Sequence, residues 1–207
     1  TNEVLFVCHV IYTFVEMLLN CVKYTDTEKK LIKKVRNYDW RKLEKLWTSI
    51  KNGAALSWSK GKALEYMLIR AFDLSGAEVV YPYNNTVNNA QEQFDGFVYV
   101  KELAVGFLVE CKDWKSPVAF DELAKLQTRL TYRLSSTYGM FLSKSGYTSS
   151  AIEMMCFMHP HNILLWSSED IDECFKKRKF LDALIYKYKY AMATADLLIA
   201  VLDGINI

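Results

Sequence analysis

The sequence predicts an α/β fold of the α+β sandwich kind: a central mixed sheet flanked by helices, with a helical extension at the N-terminal side. Three observations predict it. From residue 59 the apolar spacing switches between helical and strand periods, in the order α-β-β-β-α-β-α-β-α-α, which calls for a sheet covered by helices. Two strand-like runs, 93–100 and 104–112, are joined by a short turn and read as a hairpin. Only 3 Pro and 8 Gly occur in 207 residues, so long elements with few irregular loops are expected. A chain of this length buries a core without staples. Its 51% hydrophobic and 24% charged content excludes a disordered chain, a collagen-like fibre and a low-complexity linker.

Taken in order, residues 4–22 are largely apolar and about long enough to span a bilayer. His9, Thr13, Glu16 and Asn20 interrupt the run. No basic segment precedes it and no small-residue cleavage site follows. It reads as a buried or oligomerising helix, so a membrane is not expected as a partner; insertion would make the chain membrane-tethered. Residues 26–50 read as a second, highly charged helix. Between Lys23 and Lys51 ten Lys/Arg face four Asp/Glu, a local net of +6 against +2 for the whole chain. This is a solvated helix face or a phosphate-contacting flank. Asn52-Gly53 marks a break.

Residues 59–74 are helical, with Leu64, Leu68, Ala71 and Phe72 on one face, and Gly76 ends the helix. Residues 77–81 form a strand stopped by Pro82, and the Asn-rich stretch 84–89 reads as a loop. After the hairpin, Pro117 is expected to open a helix running to about Arg133. Residues 138–143 are a strand, 148–159 a helix and 162–167 a strand. Ser168 is the expected cap of the next helix, and a final helix covers about 180–202. The domain division expected from this is 1–55 helical, 56–178 sheet-centred and 179–207 helical.

The hairpin carries the chemistry. If it is centred between Glu102 and Leu103, Val100 faces Val105, Val98 faces Phe107, Gly96 faces Val109, and Asp95 faces Glu110. Glu110 and Lys112 then share one face while Cys111 points away. Two carboxylates set opposite each other repel, and a divalent cation between them removes that penalty. Hard oxygen donors suit Mg²⁺ or Mn²⁺. Lys112 beside them holds or helps deprotonate a water and offsets charge on a phosphate; as an isolated pair it is a salt-bridge partner of Glu110. Glu65 and Gln127 are polar residues on otherwise apolar helix stripes, either wet at the stripe edge or aimed at the same pocket.

Asp95, then V-E-C-K at 109–112, on two adjacent strands between the expected helices, resembles the PD-(D/E)xK nuclease superfamily, with its restriction-endonuclease-like core. The resemblance spans roughly residues 59–178. It is nearest in look to the Mrr-like branch, associated with type IV restriction, through Glu65 before the strands, Gln127 after the lysine, S-G-Y-T-S-S-A at 145–151 and L-L-W-S-S-E-D-I at 164–171. Phe94 stands where the motif nominally has Pro. The resemblance implies Mg²⁺-dependent hydrolysis of DNA phosphodiesters in restriction or DNA processing. It implies Asp95, Glu110 and the Cys111 main-chain carbonyl as metal ligands, and Lys112 as the group that positions water. Glu65 would act through a water or a second metal, and Gln127 would orient Lys112 or the phosphate. A homodimer through the N-terminal helices is a further expectation. The competing reading is a non-catalytic binding or assembly module on the same fold, which the intact acids and lysine argue against.

Trp114 and Lys115 lie where a substrate backbone would pass, although Trp114 equally suits covering the core. Lys144 and Tyr147 sit in a loop after a strand. The run from Lys176 to Lys179 and the Tyr186–Tyr190 segment are basic with interleaved aromatics, fitting nucleic-acid contact or helix packing. Five cysteines with no C-x-x-C pair predict buried thiols in a reducing, cytoplasmic compartment rather than disulfides or a zinc site.

Overall fold

The structure is a computed structural model that describes residues 24–55, 58, 61–87 and 90–200. The apolar run 4–22 and the end of the chain beyond 200 lie outside the described residues. Helix α1 (Asp26–Arg36) starts with a capping box, in which Thr25 Oγ1 accepts from the Glu28 N–H and Glu28 Oε2 accepts from the Thr25 N–H. Helix α2 (Trp40–Lys51) starts at Asp39, whose carboxylate accepts from the Lys42 N–H at 2.9 Å. The single helix expected over 26–50 is therefore two. Asn37-Tyr38-Asp39 ends one and recaps the next, and a fresh N-cap outweighs continued helical periodicity. Helix α3 (Lys62–Leu74) follows Gly61, which takes φ +84, and ends before Gly76 at φ +95.

Strand β1 (Glu78–Val80) is followed by β2 (Tyr83–Val87) and β3 (Ala90–Phe94), which pair antiparallel from Tyr83↔Phe94 to Val87↔Ala90. The stretch read as an Asn-rich loop is thus strand as far as Val87; ladder hydrogen bonds override the low strand propensity of Asn. Residues 88 and 89 lie outside the described residues. Strand β4 (Gly96–Val100) begins after a break at Asp95, so the run 93–100 is divided between two sheets. Strand β5 (Val105–Lys112) pairs with β4 in the expected register, from Gly96↔Val109 to Val100↔Val105, but the ladder stops at Gly96, so the expected facing of Asp95 and Glu110 is not a ladder pair: Asp95 sits in the break, bonded to the Cys111 N–H. The connection is a 3₁₀ turn over Lys101–Leu103 closed by Ala104 in the left-handed region, not a two-residue turn.

Helix α4 (Phe120–Leu130) starts three residues later than expected. Val118 is held instead in a bridge with Tyr147, its N–H donating to Gly146 O and its carbonyl accepting from Thr148. Then come β6 (Thr137–Ser143), α5 (Ser149–Phe157), β7 (Ile163–Trp166), α6 (Ser168–Lys177) and α7 (Phe180–Thr194). The cap of α6 is Ser167, not Ser168; it forms a capping box with Asp170. Helix α7 stops at Ala195, which is left-handed.

The main sheet has the order β1-β4-β5-β6-β7, antiparallel across β1, β4 and β5 and parallel across β5, β6 and β7. It is a mixed five-stranded sheet between helical layers. On one face Val98, Phe107, Val109, Cys111, Met140, Leu142 and Trp166 pack with α1, α2, α3, α6 and α7. On the other, Leu108, Phe141, Ile163 and Leu165 pack with Leu123, Leu126 and Leu130 of α4 and Met155 of α5. Strand alternation assigns each residue to its layer. Glu110 and Lys112 consequently share the α4 side with Leu108, while Cys111 is buried on the α3 side, as expected. Gly96 permits α3 to lie close on β4: a Cβ there would stand 2.8 Å from Ile69 Cγ1 and closer still to its Cδ1. That contact sets α3, and with it Glu65, beside the start of β4.

Candidate active site

The C-terminal end of β5 and the break before β4 open on a pocket of about 350 Å³, lined by Gly61, Glu65, Asp95, Glu110, Cys111, Lys112, Asp113 and Trp114. Three of the sequence-predicted acids meet here from three elements: Glu65 from α3, Asp95 from the β3–β4 break, and Glu110 from β5. Asp95 Oδ2 accepts from the Cys111 N–H at 2.8 Å, which pins the carboxyl against the end of β5. Burial, then the neighbouring Glu65 and Glu110 carboxylates, push the Asp95 carboxyl well above the usual range. Burial likewise raises Glu65, partly offset by Lys62 at 2.5 Å.

Glu110 is held by two cations, Lys112 Nζ on Oε1 at 2.9 Å and Arg129 Nη1 on Oε2 at 3.0 Å. Lys112 also meets Glu122 Oε2 at 3.0 Å. Burial alone would lower the Lys112 ammonium, but Glu110 and Glu122 outweigh it and hold its pKa above the ordinary value. Lys112 is therefore a charged donor near neutral pH. Its Nζ lies 5.3 Å from the centre of the Trp114 ring, and Trp114 is 37% exposed at the pocket mouth. Cys111 is a buried free thiol pushed well up by burial, a core residue and not a nucleophile.

Gln127 stands apart. It is buried, its amide donates to Pro160 O at 3.3 Å, and it does not line the pocket. Helix α4 presents Glu122 and Arg129 to β5 instead. The signal for both lay in the sequence: they are seven residues apart, on one side of a helix whose apolar stripe was plain. Lys62 and Asp113 were also not singled out; Asp113 pairs with Lys144, which ties that lysine to the pocket rim. Tyr147 is structural, its buried hydroxyl lying 2.7 Å from Phe141 O and 2.9 Å from Trp166 O. Lys187, within the basic aromatic run, is fully buried and paired with Asp170 at 2.8 Å. Tyr186 and Tyr190 pack on each other with ring centres 6.0 Å apart.

Carboxylate oxygens with a main-chain carbonyl, that of Cys111, nearby are the donor chemistry of Mg²⁺ and Mn²⁺, and three crowded acids are the charge excess such an ion relieves. The residues thus fit a divalent ion in type. Among the described residues no three His, Cys, Asp or Glu side chains are drawn together to clasp one; Lys62 pairs with Glu65, and Lys112 and Arg129 pair with Glu110, as the chain stands.

A family model described as restriction endonuclease, Mrr_cat, matches residues 56–175, more than half of the chain. No curated protein matches. Among solved structures, one similar chain is a protein of unknown function, AF1548, at 12% identity and TM-score 0.43, covering 56% of this chain and 77% of that one. Another is the DNA modification-dependent restriction endonuclease AspBHI, at 13% identity and TM-score 0.38, covering 83% of this chain and 44% of that one. A third is the restriction endonuclease FokI, at 18% identity and TM-score 0.39, covering 81% of this chain and 31% of that one. The chain thus spans less than half the length of AspBHI and of FokI.

Proposed function

Because this chain belongs to the restriction endonuclease family, we propose that it is a divalent-metal-dependent endonuclease that hydrolyses DNA phosphodiester bonds in restriction or DNA processing. The observation that carries the reading is the convergence of Glu65, Asp95 and Glu110 on one pocket with Lys112 at its edge. Asp95 and Glu110, with the Cys111 main-chain carbonyl, would hold Mg²⁺ or Mn²⁺. When bound, such an ion lowers the pKa of water and offsets the charge that grows on the phosphate.

The chain's own groups supply the rest. The Cys111 N–H fixes Asp95. Lys112, kept protonated by Glu110 and Glu122, donates to the attacking water and to a phosphate oxygen, acting by charge and position rather than as a base. Arg129 stands ready to leave Glu110 for the phosphate. Glu65 acts through a second water. Gln127 would orient Lys112 or the phosphate only on exchanging its bond to Pro160, whereas Glu122 already orients Lys112. Residues 56–178 would form the nuclease domain, flanked by 1–55 and 179–207. The N-terminal helices would form a homodimer, which a light-scattering mass equal to one chain would contradict. The chain would act in the cytoplasm; of the described cysteines Cys111 and Cys174 are buried, as expected, but Cys156 is exposed, and no helix among the described residues is long and apolar enough to cross a membrane.

The test is incubation of supercoiled plasmid with Mg²⁺ and with EDTA. Wild type nicks only with Mg²⁺, and Lys112→Ala loses about 100-fold or more, as expected for removal of one transition-state donor. No nicking by wild type beyond that of Lys112→Ala would abandon catalysis. Crystals soaked in Mn²⁺ are expected to give anomalous density beside Asp95.

A further inference from the structure

The proposed mechanism leaves a second cleft unused. It lies between α1, α2 and the turn after α2, has a volume of about 390 Å³, and is lined by Lys34, Tyr38, Lys42, Lys45, Ser49 and Trp58 with a few small apolar side chains. Its lining holds three lysines and no acid. None of the three forms a salt bridge among the described residues; Lys42 Nζ donates to the Asn37 carbonyl at 3.2 Å and feels the charge of Asp39, which caps α2 without lining the cleft. Lys34 Nζ stands 4.5 Å over the Trp58 ring and Lys42 Nζ 5.9 Å from the Tyr38 ring. The two rings meet edge to face at 6.5 Å, forming an apolar wall beside the ammonium groups.

Unneutralised lysines suit phosphate, and aromatic side chains next to them suit a base, because every base has a stacking face. The volume falls within the range of small-ligand pockets. Position adds a further argument. Trp58 packs on Tyr66 at 6.4 Å, and Tyr66 follows Glu65 in α3. Gly61, three residues after Trp58, lines the catalytic pocket. Three residues of chain reach at most about 11 Å, so Trp58 and Gly61 lie within a few nucleotides' length of each other.

We propose that this cleft is a nucleotide subsite of the DNA-binding surface: Lys34, Lys42 and Lys45 take a phosphate and the half-buried Tyr38 takes an unpaired base, with the buried Trp58 ring as the wall behind it, on the strand that enters the catalytic pocket. It rests on the DNA-directed reading above. A free nucleotide offers the same chemistry, so the experiment separates the two sources.

The full chain is titrated, in EDTA so that no cleavage occurs, against a fluorescein-labelled single-stranded oligonucleotide and its duplex, read by anisotropy. Lys42→Glu/Lys45→Glu is compared with Lys30→Glu/Lys189→Glu, an equal charge change at exposed positions outside both clefts. Wild type is expected to bind single strand more tightly than duplex. The cleft pair weakens single-strand binding roughly tenfold and lowers the salt slope by about 1.4, two lost contacts at about 0.7 each; the control pair changes affinity less than about threefold. Tyr38→Ala removes the preference for single strand. Equal losses in both pairs, or no loss in the cleft pair, overturn the proposal. So does displacement of the oligonucleotide by adenosine monophosphate at equal concentration, which assigns the cleft to a free nucleotide. Nicking is scored separately with Mg²⁺. Cleavage by wild type with an unaffected cleft pair defeats the subsite alone. Cleft-dependent binding with no cleavage defeats the nuclease reading alone.

Discussion

Gly96→Ala tests how packing delivers the candidate site. The added Cβ would lie 2.8 Å from Ile69 Cγ1, closer to Cδ1, and 3.3 Å from the Val80 carbonyl oxygen. The side of the methyl facing Val80 meets backbone, and Ile69 is fully buried, so neither neighbour moves freely. Overpacking of this kind costs about 1–3 kcal/mol. Replacing Gly inside a strand otherwise gains about 0.5–1 kcal/mol. Taking the middle of each range, the net destabilisation is about 1 kcal/mol, a fall in Tm of roughly 2–4 °C for a chain of this size. Ile69 sits one turn after Glu65, so relief by shifting α3 also moves Glu65 away from Asp95. Thermal unfolding by circular dichroism gives the stability change, and plasmid nicking with Mg²⁺ should fall with it. In an Ile69→Ala background the clashing atoms are gone, and Gly96→Ala should cost nothing or stabilise. A Tm for Gly96→Ala equal to or above wild type, or the same cost in both backgrounds, would refute the reasoning.

The remaining predictions concern charges and caps. Lys187→Met removes the buried cation facing Asp170, which keeps its bond from the Ser167 N–H, and is expected to lower stability by about 3–5 kcal/mol in urea unfolding; adding Asp170→Asn restores most of it, and a loss below about 1 kcal/mol in the single variant would count against a buried ion pair. Burial, opposed by Asp170, lowers the Lys187 pKa below its ordinary 10.5, so the unfolded chain binds more protons between the folded value and 10.5. Stability from this group therefore rises with pH across that window, an increment that Lys187→Met should lack in a pH series of urea midpoints. Ser167→Ala removes the cap of α6 and should cost about 1 kcal/mol, read as a lower urea midpoint with unchanged slope. Arg129→Gln frees one oxygen of Glu110 from a competing cation; calorimetry should show Mn²⁺ bound about two- to fivefold more tightly, and weaker binding would assign Arg129 a supporting role instead.

The site was legible where chemistry and period coincide. The β4–β5 register followed from the hairpin alone, because alternation ties Glu110 and Lys112 to one face and a one-residue slip would bury both. Glu65 was visible as an acid on an apolar stripe, and it lies beside Asp95. Gln127 gave the same signal, yet its amide nitrogen donates to Pro160 O, its buried Oε1 has no partner among the described residues, and it does not line the pocket. A polar residue on an apolar stripe announces a buried partner but not which one. Glu122 and Arg129 went unnoticed because charges on the far side of a helix look solvated until β5 is placed against them. The split of 26–50 at Asn37–Asp39 and the strand character of β2 depended on local caps and ladder pairing that periodicity does not report.

The amino-acid order alone determined the layered α/β architecture, the hairpin register, the acid pair with its lysine and the concentration of positive charge before residue 52, since these follow from spacing, side-chain alternation and charge along the chain. Only the tertiary structure decided which cation answers each carboxylate, that Lys187 is interior, and that Gly96 draws α3 onto β4. Those outcomes depend on distances between segments far apart in sequence, set by how side chains of particular volume fill the space between sheet and helices.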